Sequence, residues 1–419
     1  MLNTPTQPIF RDMRIFNSFF IGGYECADII NNRGNRVDLL QETFHDVRVE
    51  EDYALLAAAD ITTVREGIRW SVVEKQPHQY DFSEVKNRMA AARKYGIQQL
   101  WDICHFGYPE GLMPSHPQFA DRFAALCKAF VELYRSSTKA PLIITPINEI
   151  SFISWLGGDA RGTVPFAIHS GFDVKYFLCR AAIRGIQTIK SIDPTAKILM
   201  VEPLIRVHPQ EGQTSCDAIR GFNEAQFQAM DIVTGRICPE LGGKPEYLDI
   251  AGFNYYYNNQ WEHCGPILGW CKEKRRTCFS ELLRDAYLRY NKPVIVSETG
   301  HFKEDRSKWM KQITEDCIKA MEAGVDLRGV CIYPVLDRPD WDERNYIACG
   351  IWGYDPITGE RFVEADYLAC VQQCHDGIQH YLQTKERPRI KATLQPQYNT
   401  ETFSNTHIGA LHVQSVSGV

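Results

Sequence analysis

The segment PLIITPINEISF, residues 141–152, places a polar pair directly after an apolar run. Residues 142–144, with Ile147 just beyond them, predict a buried β-strand. Asn148 and Glu149 follow at once, at the point where such a strand ends. A carboxylate at the end of a buried strand is stable only if it stays hydrated or gains partners. Glu149 is therefore either a surface acid or one member of a catalytic pair, and the rest of the sequence has to decide between them.

Short apolar runs of this kind alternate with amphipathic helical segments along most of the chain. Eight candidate strands can be counted from the segment IFNSFFIGGYE, residues 15–25, and every strand but the last is followed by helix-like sequence. Strand–helix alternation predicts a parallel sheet, and eight repeats predict an α/β fold, a closed (β/α)8 TIM barrel with loop insertions. One predicted helix, within residues 81–96, has Ser83 as its expected N-cap and Gly96 as its expected C′ residue.

A doubly wound α/β sheet is the alternative for such an alternating pattern. That fold places a glycine-rich phosphate-binding turn after its first strand. The segment FFIGGYECAD contains Gly22-Gly23 but no G-x-G-x-x-G pattern, and the chain has no P-loop motif. No internal domain boundary is evident, so residues 1–384 are predicted to form one barrel domain. Residues 385–419 are polar and without periodicity, which predicts an extended or disordered C-terminal tail.

Composition and charge exclude several classes of function. The chain has 419 residues, of which 44% are hydrophobic and 23% charged, as in ordinary globular proteins. Its net charge of −6, a pI near 6.1 and the lack of a long basic run argue against a nucleic-acid partner. The amino-terminal sequence has no apolar core of signal-peptide length, and no apolar run approaches a membrane span. These features predict a cytoplasmic protein without a membrane partner.

Fourteen cysteines are scattered along the chain, and several lie within apolar patterns, among them Cys127, Cys179 and Cys331. Free cysteine packs as a small apolar residue, so reduced thiols are predicted in the absence of an export signal. One group, His263 with Cys264, Cys271 and Cys278, raises the question of a zinc site. Zinc sites usually contain closely spaced C-x₂₋₄-C pairs, whereas these cysteines are seven residues apart. The group is interpreted as a loop that carries reduced thiols, and no metal is predicted.

The carboxyl ends of the strands form the active face of a TIM barrel. In this sequence those ends are polar and aromatic, and two of them carry a glutamate directly after an apolar run: Glu149 on strand four and Glu298 on strand seven. A pair of carboxyl groups is what retaining glycoside hydrolysis requires. The aromatic residues suit a sugar, whose C–H faces stack on Trp and Tyr rings. Glu202 ends strand five in a similar way and is left without a role.

Taken in order, the motifs at these strand ends resemble family 1 of the glycoside hydrolases, the β-glucosidase type, whose barrel enzymes carry acids on strands four and seven. The family has NEP on strand four where this chain has NEI, residues 148–150. It has ENG on strand seven where this chain has ETG, residues 298–300. The resemblance implies that Glu149 is the general acid/base, that Glu298 is the nucleophile and that Asn148 contacts the sugar 2-hydroxyl.

Other family motifs match at the remaining strand ends. The family's RFSISW, YHWDLPQAL, NYY and WSLLDNFEW resemble REGIRW, CHFGYPEGL, NYY and YPVLDRPDW of this chain, in the same order. By resemblance Arg65 lies beside the nucleophile, His105 binds the glycone and Tyr256 steadies Glu298. The implied substrate-binding residues, besides Asn148, are Arg65, His105, Asn254, Tyr256, Tyr333, Asp340 and Trp341.

The chain departs from the family pattern at positions around the two acids. Tyr333 replaces a Trp, Glu25 replaces the Gln of strand one, and Asp340 replaces a Glu with a side chain one methylene shorter. Ile150 and Thr299 replace the Pro and Asn that follow the two acids. The residues that read the sugar hydroxyls have therefore changed more than the catalytic pair, so the chemistry transfers better than the substrate.

The resemblance implies a retaining β-glycosidase that hydrolyses a small neutral β-glycoside without a cofactor. Asp340 would keep a carboxylate at the far end of the glycone, where like-charge repulsion disfavours a 6-phosphosugar. Two alternatives stay open: a transglycosylase that uses the same pair, and a catalytically weak carbohydrate-binding barrel. The aglycone side is read by loops, and the insertions at roughly 203–247 and 258–290 belong to this chain alone. The sequence leaves the natural sugar, the aglycone and the oligomeric state open.

Overall fold

Eight parallel strands close into a barrel in the computed structural model, which describes residues 15–384; residues 1–14 and 385–419, with the predicted tail, lie outside the described part. The first strand pairs with both the second and the last, and every other strand pairs with its sequence neighbours. The predicted TIM barrel is thereby confirmed. Its strands are β1 Phe20–Gly23, β2 Thr63–Gly67, β3 Gln98–Cys104, β4 Ile143–Ile147, β5 Lys197–Pro203, β6 Ile250–Asn254, β7 Val294–Thr299 and β8 Leu327–Ile332.

Each strand is followed by a helix that packs on the outside of the barrel. These helices are α1 His45–Ala58, α2 Ser83–Tyr95, α3 Phe119–Ser137, α4 Gly171–Ile192, α5 Gln228–Val233, α6 Phe279–Tyr290, α7 Arg306–Glu322 and α8 Ala365–Thr384. Shorter helices lie in the loops, at Leu39–Glu42, Trp70–Val73, Ile150–Gly158 and Asp217–Ala225. Within residues 15–384, none of the helices combines the length and the apolar character that crossing a membrane requires.

The strands alternate between two apolar layers, as the two-residue period of β-structure requires. Ile143 and Leu199 point into the barrel, whereas Ile144 and Met200 belong to the larger core between strands and helices. The predicted buried thiols lie in these layers; Cys331, for example, is fully buried inside the barrel. All fourteen cysteines fall within the described residues, and all are free. The apolar filling of the barrel interior gives way to charged side chains only at the carboxyl end.

Small sheets in the loops extend the carboxyl end of the barrel. The two long connections around β6 meet there, because Arg206–His208 pairs in parallel with Gln260–Glu262. The other three pairs are antiparallel: Asp28–Ile30 with Arg36–Asp38, Arg338–Pro339 with Tyr346–Ile347, and Trp352–Tyr354 with Arg361–Val363. The predicted insertions therefore form a wall at the end of the barrel where the candidate acids lie.

The ends of helix α2 show one correct and one wrong capping prediction. Gly96 is the residue after the helix and has a φ of 68°, the left-handed conformation predicted for it. Ser83 is not the N-cap: it is the first helical residue, and its backbone N–H is bound by the Asp81 carboxylate at 2.9 Å. The carboxylate two residues earlier therefore satisfies the exposed helix end, a role that the sequence analysis gave to the serine hydroxyl.

Replacing Gly96 with alanine is expected to lower the free energy of unfolding by about 1 kcal/mol, because a Cβ strains the left-handed conformation. No neighbouring atom lies within 4 Å of the added Cβ, so the effect isolates backbone strain. Gly377→Ala is the matched control: Gly377 lies inside helix α8 with equally open space and no positive φ. That control is expected to be neutral or stabilising by up to about 1 kcal/mol. Urea unfolding of both variants measures the difference, and equal effects would contradict the assignment.

Candidate active site

The two candidate acids stand at the carboxyl ends of β4 and β7, where the backbone is irregular. Glu149 directly follows β4 with a φ of 43°, in the left-handed region that non-glycine residues rarely adopt. Strand β7 bulges at Ser297 and Glu298, where its register shifts against both β6 and β8. A bulge redirects the side chains of a strand. The two departures bring both carboxyl groups to one cavity, whose wall contains Glu149 and Glu298.

Glu298 is held by two donors, one on each oxygen. Arg65 Nη1 donates to Oε1 at 2.5 Å, and the Tyr256 hydroxyl donates to Oε2 at 2.9 Å. Burial, followed by the charges of Glu298 and Glu149, raises the pKa of Tyr256 well above its ordinary value, so the phenol stays protonated as a donor. A guanidinium and a phenol thus each donate to one oxygen of this carboxyl group. The implied placements of Arg65 and Tyr256 beside Glu298 agree with these contacts.

Arg65 connects Glu298 to the rest of the site from behind the cavity wall. Its guanidinium has no exposure and also contacts Asp102, with Nη2 and Oδ2 2.6 Å apart, and Asn148 Oδ1 at 2.7 Å. Burial opposes the charged form, but the carboxylates of Asp102 and Glu298 outweigh it and raise the pKa of Arg65 well above its ordinary value. Arg65 on β2 is thus a permanent cation, and its guanidinium contacts residues at the carboxyl ends of three other strands, β3, β4 and β7.

His105 carries this network to the cavity surface. Its Nδ1 lies 3.0 Å from Asp102 Oδ2, its Nε2 lies 3.1 Å from the Asn148 amide, and its ring is parallel to that of Tyr333 with centroids 5.9 Å apart. Burial lowers the pKa of His105, but Cys26 and the Asp102 hydrogen bond act in the opposite direction and outweigh burial. The pKa of His105 therefore lies well above its ordinary value. The hydrogen bonds to Asp102 and Asn148 fix the orientation of the imidazole ring.

Glu25, Tyr333 and Arg338 form the wall beyond His105. The Tyr333 hydroxyl donates to Glu25 Oε1 at 3.4 Å, and Arg338 Nε lies 3.6 Å from Glu25 Oε2. Arg338 is only 4% exposed; its Nη1 donates to the Pro339 carbonyl at 3.0 Å, and its Nε has no hydrogen-bond partner among residues 15–384. All three residues line the cavity. This wall offers both a hydrogen-bond donor and an acceptor.

Glu149 has the opposite environment to that of Glu298. No Lys, Arg or His in the described part of the chain forms an ion pair with it. Burial, followed by the negative charge of Glu298, raises the pKa of Glu149 to about 8. At neutral pH Glu149 is therefore mostly protonated, and a proton is available in the cavity beside the carboxyl group of Glu298.

Asp340, which the resemblance places against the glycone, is not among the residues that line the cavity. Its Oδ1 accepts the backbone N–H groups of residues 342, 343 and 344 at 3.0, 2.6 and 3.2 Å, and its Oδ2 accepts that of Asn345 at 2.8 Å. Short acidic side chains readily cap their own turn in this way. These N–H groups lower the pKa of Asp340 against the effect of burial. The turn holds the neighbouring Trp341 in the cavity wall.

The remaining implied residues divide between the wall and the layer behind it. Asn148 and Asn254 are fully buried and lie outside the lining, together with Arg65. The amide of Asn148 is bound to Arg65 and His105, and Asn254 Oδ1 accepts the Ser297 hydroxyl at 2.7 Å. These three side chains support the wall and do not form its surface. The implied residues that do line the cavity are Glu149, Glu298, His105, Tyr256, Tyr333 and Trp341.

Away from the acids, the cavity widens to a total volume of about 2070 Å³. This is larger than the ~300–1,000 Å³ of typical small-ligand sites. Most of its lining is apolar. The outer part is built by the short helix after β4 and by the two insertions, with aromatic side chains at Phe152, Trp155, Phe172, Phe222, Tyr257 and Trp261. A bulky group joined to the sugar has room on this side.

One trio among residues 15–384 has the geometry to bind a metal ion: Cys26, Asp102 and His105, all buried. Asp102 is already bound to Arg65 through both of its oxygens. Burial also raises the pKa of the Cys26 thiol, so the neutral form is favoured over the thiolate that binds metals. We interpret this trio as part of the charge network around Arg65. Of the loop residues considered for zinc, Cys264, Cys271 and Cys278 are exposed.

Sequence reasoning assigned no site role to three buried charged residues near the acids, Asp102, Arg338 and Glu202, of which Asp102 was not considered at all. Arg338 lies within a motif that was compared with the family, two positions before Asp340, and a basic residue soon after the last predicted strand was the available signal. Glu202 was noted at the end of its strand but received no role; it is 1% exposed, and burial raises its pKa to about 7. An acid directly after a buried strand, the pattern that identified Glu149, is the signal that also applied to Glu202.

Comparisons with known proteins agree with this fold. No family model matches the chain. Among curated proteins, β-glucosidase 1B of Phanerodontia chrysosporium is 24% identical over 158 residues, which make up 33% of this chain and 28% of that protein. The match therefore covers less than a third of the relative's length.

Solved structures give a wider match. The family 1 β-glucosidase of Thermotoga maritima superposes with a TM-score of 0.66 at 18% identity, over 80% of this chain and 87% of that one. Its complexes with glucoimidazole and with deoxynojirimycin also give TM-scores of 0.66, at 18% and 19% identity, over 80% of this chain and 88% of theirs. The chain thus has the barrel fold of family 1 β-glucosidases, as its motifs suggested.

Glu149→Gln is expected to change how stability depends on pH. The folded-state pKa of about 8 lies above the ordinary 4.5, so the folded protein binds more protons than the unfolded one between these values. Wild-type stability therefore falls as pH rises through this window, and the glutamine variant lacks this contribution. The variant is expected to match wild type near pH 4.5 and to exceed it near pH 8, by on the order of a few kcal/mol.

Urea unfolding at several pH values measures this gap. Glu304→Gln, at an exposed acid outside the cavity, is the control and is expected to leave the pH dependence unchanged. A constant gap between Glu149→Gln and wild type from pH 5 to pH 8 would contradict the raised pKa.

Proposed function

We propose that this protein is a retaining β-glycosidase, with Glu149 as general acid/base and Glu298 as nucleophile. The observation that carries the proposal is the contrast between the two acids in one cavity. Glu298 accepts hydrogen bonds from Arg65 and Tyr256, whereas burial and the charge of Glu298 raise the pKa of Glu149 to about 8. One ionised and one protonated carboxyl group are the two reactants that the first step of retaining hydrolysis needs. The comparisons support the same class, since the similar proteins are β-glucosidases.

In the first step, Glu298 attacks the anomeric carbon while the bond to the leaving oxygen breaks. Glu149 gives its proton to that oxygen, so the aglycone leaves as a neutral alcohol. The sugar is then joined to Glu298 through an ester-like bond, and Glu149 is ionised. Arg65 keeps the nucleophile oriented through its contacts on neighbouring strands.

In the second step, the ionised Glu149 takes a proton from water as the water oxygen attacks the anomeric carbon. The bond to Glu298 breaks, and both acids return to their starting states. Loss of the Glu298 charge in the intermediate lowers the pKa of Glu149, which suits its change from acid to base. An acceptor hydroxyl in place of water would give transglycosylation by the same pair.

The glycone is placed against His105, Tyr333, Trp341 and the Glu25–Arg338 pair in this proposal. The proposal of a neutral sugar does not rest on Asp340, whose carboxylate is bound within its own turn. It depends on Glu25 and Arg338, whose opposite charges lie 3.6 Å apart and together add no net charge to the wall. A hydroxyl group can donate to one member and accept from the other. Binding of glucoimidazole and deoxynojirimycin by the similar Thermotoga maritima enzyme supports a glucose-like glycone. A cytoplasmic location and one barrel domain over residues 1–384 complete the proposal.

Glu298→Ala is expected to lower kcat on an aryl β-glycoside by at least about 10³-fold, because no group remains to form the covalent intermediate. Azide or formate is expected to restore turnover by occupying the space of the lost side chain. Azide should yield a glycosyl azide of inverted anomeric configuration, measurable by NMR. The matched variant is Glu149→Ala, for which azide should give the retained configuration, since attack then occurs on the glycosyl-enzyme. Near-normal hydrolysis by Glu298→Ala would remove this residue from the nucleophile role.

An aryl β-glucoside is expected to be a better substrate than its 6-phosphate, with a kcat/KM at least about 10-fold higher. The phosphate would need to enter beside Glu25, and the one guanidinium of Arg338, which already faces Glu25, does not offset two further negative charges. Direct competition between the two substrates gives the ratio. The Arg338→Met variant tests the role of the pair: it should lose kcat/KM on the neutral glycoside as well. Preference for the phosphate that disappears in Arg338→Met would instead identify a phosphosugar site.

A further inference from the structure

Glu202 ends strand β5, next to β4 and Glu149, and has no part in the mechanism described so far. Its side chain is 1% exposed. One oxygen, Oε2, accepts the backbone N–H of Ser151 at 3.0 Å, while Oε1 has no hydrogen-bond partner among residues 15–384. A buried carboxylate with a free oxygen is destabilising unless it has a function or compensation.

The hydrogen bond to Ser151 lies at the start of the short helix Ile150–Gly158, which begins directly after Glu149. The first N–H groups of a helix need acceptors from outside the helix, and the N-cap side chain usually supplies one. Here the N-cap is Glu149, and its side chain makes no such hydrogen bond. Its carboxyl group lines the cavity instead. Glu202 therefore supplies, from the neighbouring strand, the acceptor that Glu149 does not.

The same region fixes the backbone of Glu149. The N–H of Glu149 donates to the carbonyl of Val201, the residue before Glu202, at 3.0 Å. Glu149 itself has the left-handed φ of 43°, which a non-glycine residue keeps only when its surroundings impose it. Two hydrogen bonds to β5 thus hold this conformation. The Val201 carbonyl accepts the N–H of Glu149, and the Glu202 carboxylate accepts the N–H of Ser151, two residues further along.

Glu202 also acts on Glu149 through its charge. It raises the pKa of Glu149, after the larger effects of burial and Glu298. Burial raises the pKa of Glu202 itself to about 7, so its carboxylate is ionised in the range where Glu149 loses its proton. The other titratable groups that face Glu202 are Lys175 and Cys179 on helix α4. Lys175 Nζ is directed to the Ala225 carbonyl and to Gln228, and it does not form an ion pair with Glu202.

We propose that Glu202 is a positioning residue for the general acid: it fixes the backbone of Glu149 through Ser151, and its negative charge helps to keep the proton on Glu149. This inference depends on the proposed function, in which Glu149 is the acid/base. Glu202 does not touch the substrate, because it lies outside the cavity lining. Its effect on the reaction passes through Glu149.

Two variants separate the two parts of the proposal. Glu202→Gln keeps an oxygen that can accept from Ser151 but removes the charge, and Glu202→Ala removes both. The measurement is the pH dependence of kcat/KM on an aryl β-glycoside, whose basic limb reports the proton on Glu149. For Glu202→Gln we expect the basic limb to move to lower pH by about half a unit or more, with kcat at the optimum within about 3-fold of wild type. For Glu202→Ala we expect kcat to fall by about 10-fold or more, since the general acid is no longer held in place.

Asp316→Asn is the matched control, because Asp316 is also buried but lies on helix α7, outside the cavity lining. It is expected to leave the basic limb unchanged. A limb in Glu202→Gln that coincides with wild type overturns the charge effect, and normal kcat in Glu202→Ala overturns the positioning effect. If Glu202→Ala does not fold, Glu202→Gln still tests the charge.

A stability measurement keeps the inference testable if the wild type hydrolyses no glycoside, which would refute the proposed function alone. The gap in unfolding free energy between Glu149→Gln and its parent at pH 8 reports the pKa of Glu149 without any substrate. In the Glu202→Gln background this gap is expected to shrink. An unchanged gap would show that the two acids are not coupled and would overturn the inference.

Discussion

The buried guanidinium of Arg65 is the interaction on which the site depends. It lies on β2 and contacts Asp102 on β3, Asn148 after β4 and Glu298 on β7, so it ties the carboxyl ends of four strands together. A buried cation is strongly unfavourable alone, and removing one partner of such a group typically costs ~3–5 kcal/mol. The charged residues of this network are therefore stable in the protein only when all of them are present, and evolution can replace them only together.

Glu149, the second acid, has no such cation in contact with it within residues 15–384. No Lys, Arg or His within residues 15–384 forms an ion pair with Glu149, so burial and the charge of Glu298 outweigh the lowering effects of Asn254 and His105, and the pKa of Glu149 rises to about 8. That arrangement lowers the stability of the fold at neutral pH, as does the left-handed backbone at the same residue. The two acids differ because one receives Arg65 and the other does not, and no property of the glutamate side chain itself distinguishes them. Local instability at Glu149 is compatible with folding because the bonds from β5 hold its backbone.

The barrel could be predicted from the sequence because it depends on patterns that are local and repeated. Each buried strand is an apolar run, and each helix has an apolar face, so their order is visible without knowledge of contacts. The pair Glu149 and Glu298 was also visible, because a carboxylate after an apolar run is conspicuous at both positions. The hydrogen bonds of Asp340 could not be predicted, for the opposite reason: whether an aspartate reaches into a cavity or caps its own turn depends on the φ and ψ angles of the next four residues, which composition does not determine. The same holds for Ser83, where the acceptor is the carboxylate of Asp81.

The cavity shows where the sequence of such a barrel is free to change. Near the acids every charged side chain has a charged or polar partner from another strand, so a substitution there affects several contacts at once. Farther out, the wall consists of apolar and aromatic side chains from the two insertions, which join through the pair Arg206–His208 and Gln260–Glu262. Apolar contacts there are individually weak and tolerate replacement by side chains of similar size. Between these regions lies the wall of Glu25, Tyr333 and Arg338, in which the buried guanidinium of Arg338 is 3.6 Å from the carboxylate of Glu25. Substitutions in the apolar outer wall can therefore accumulate one at a time, whereas Glu25 and Arg338 have to change together.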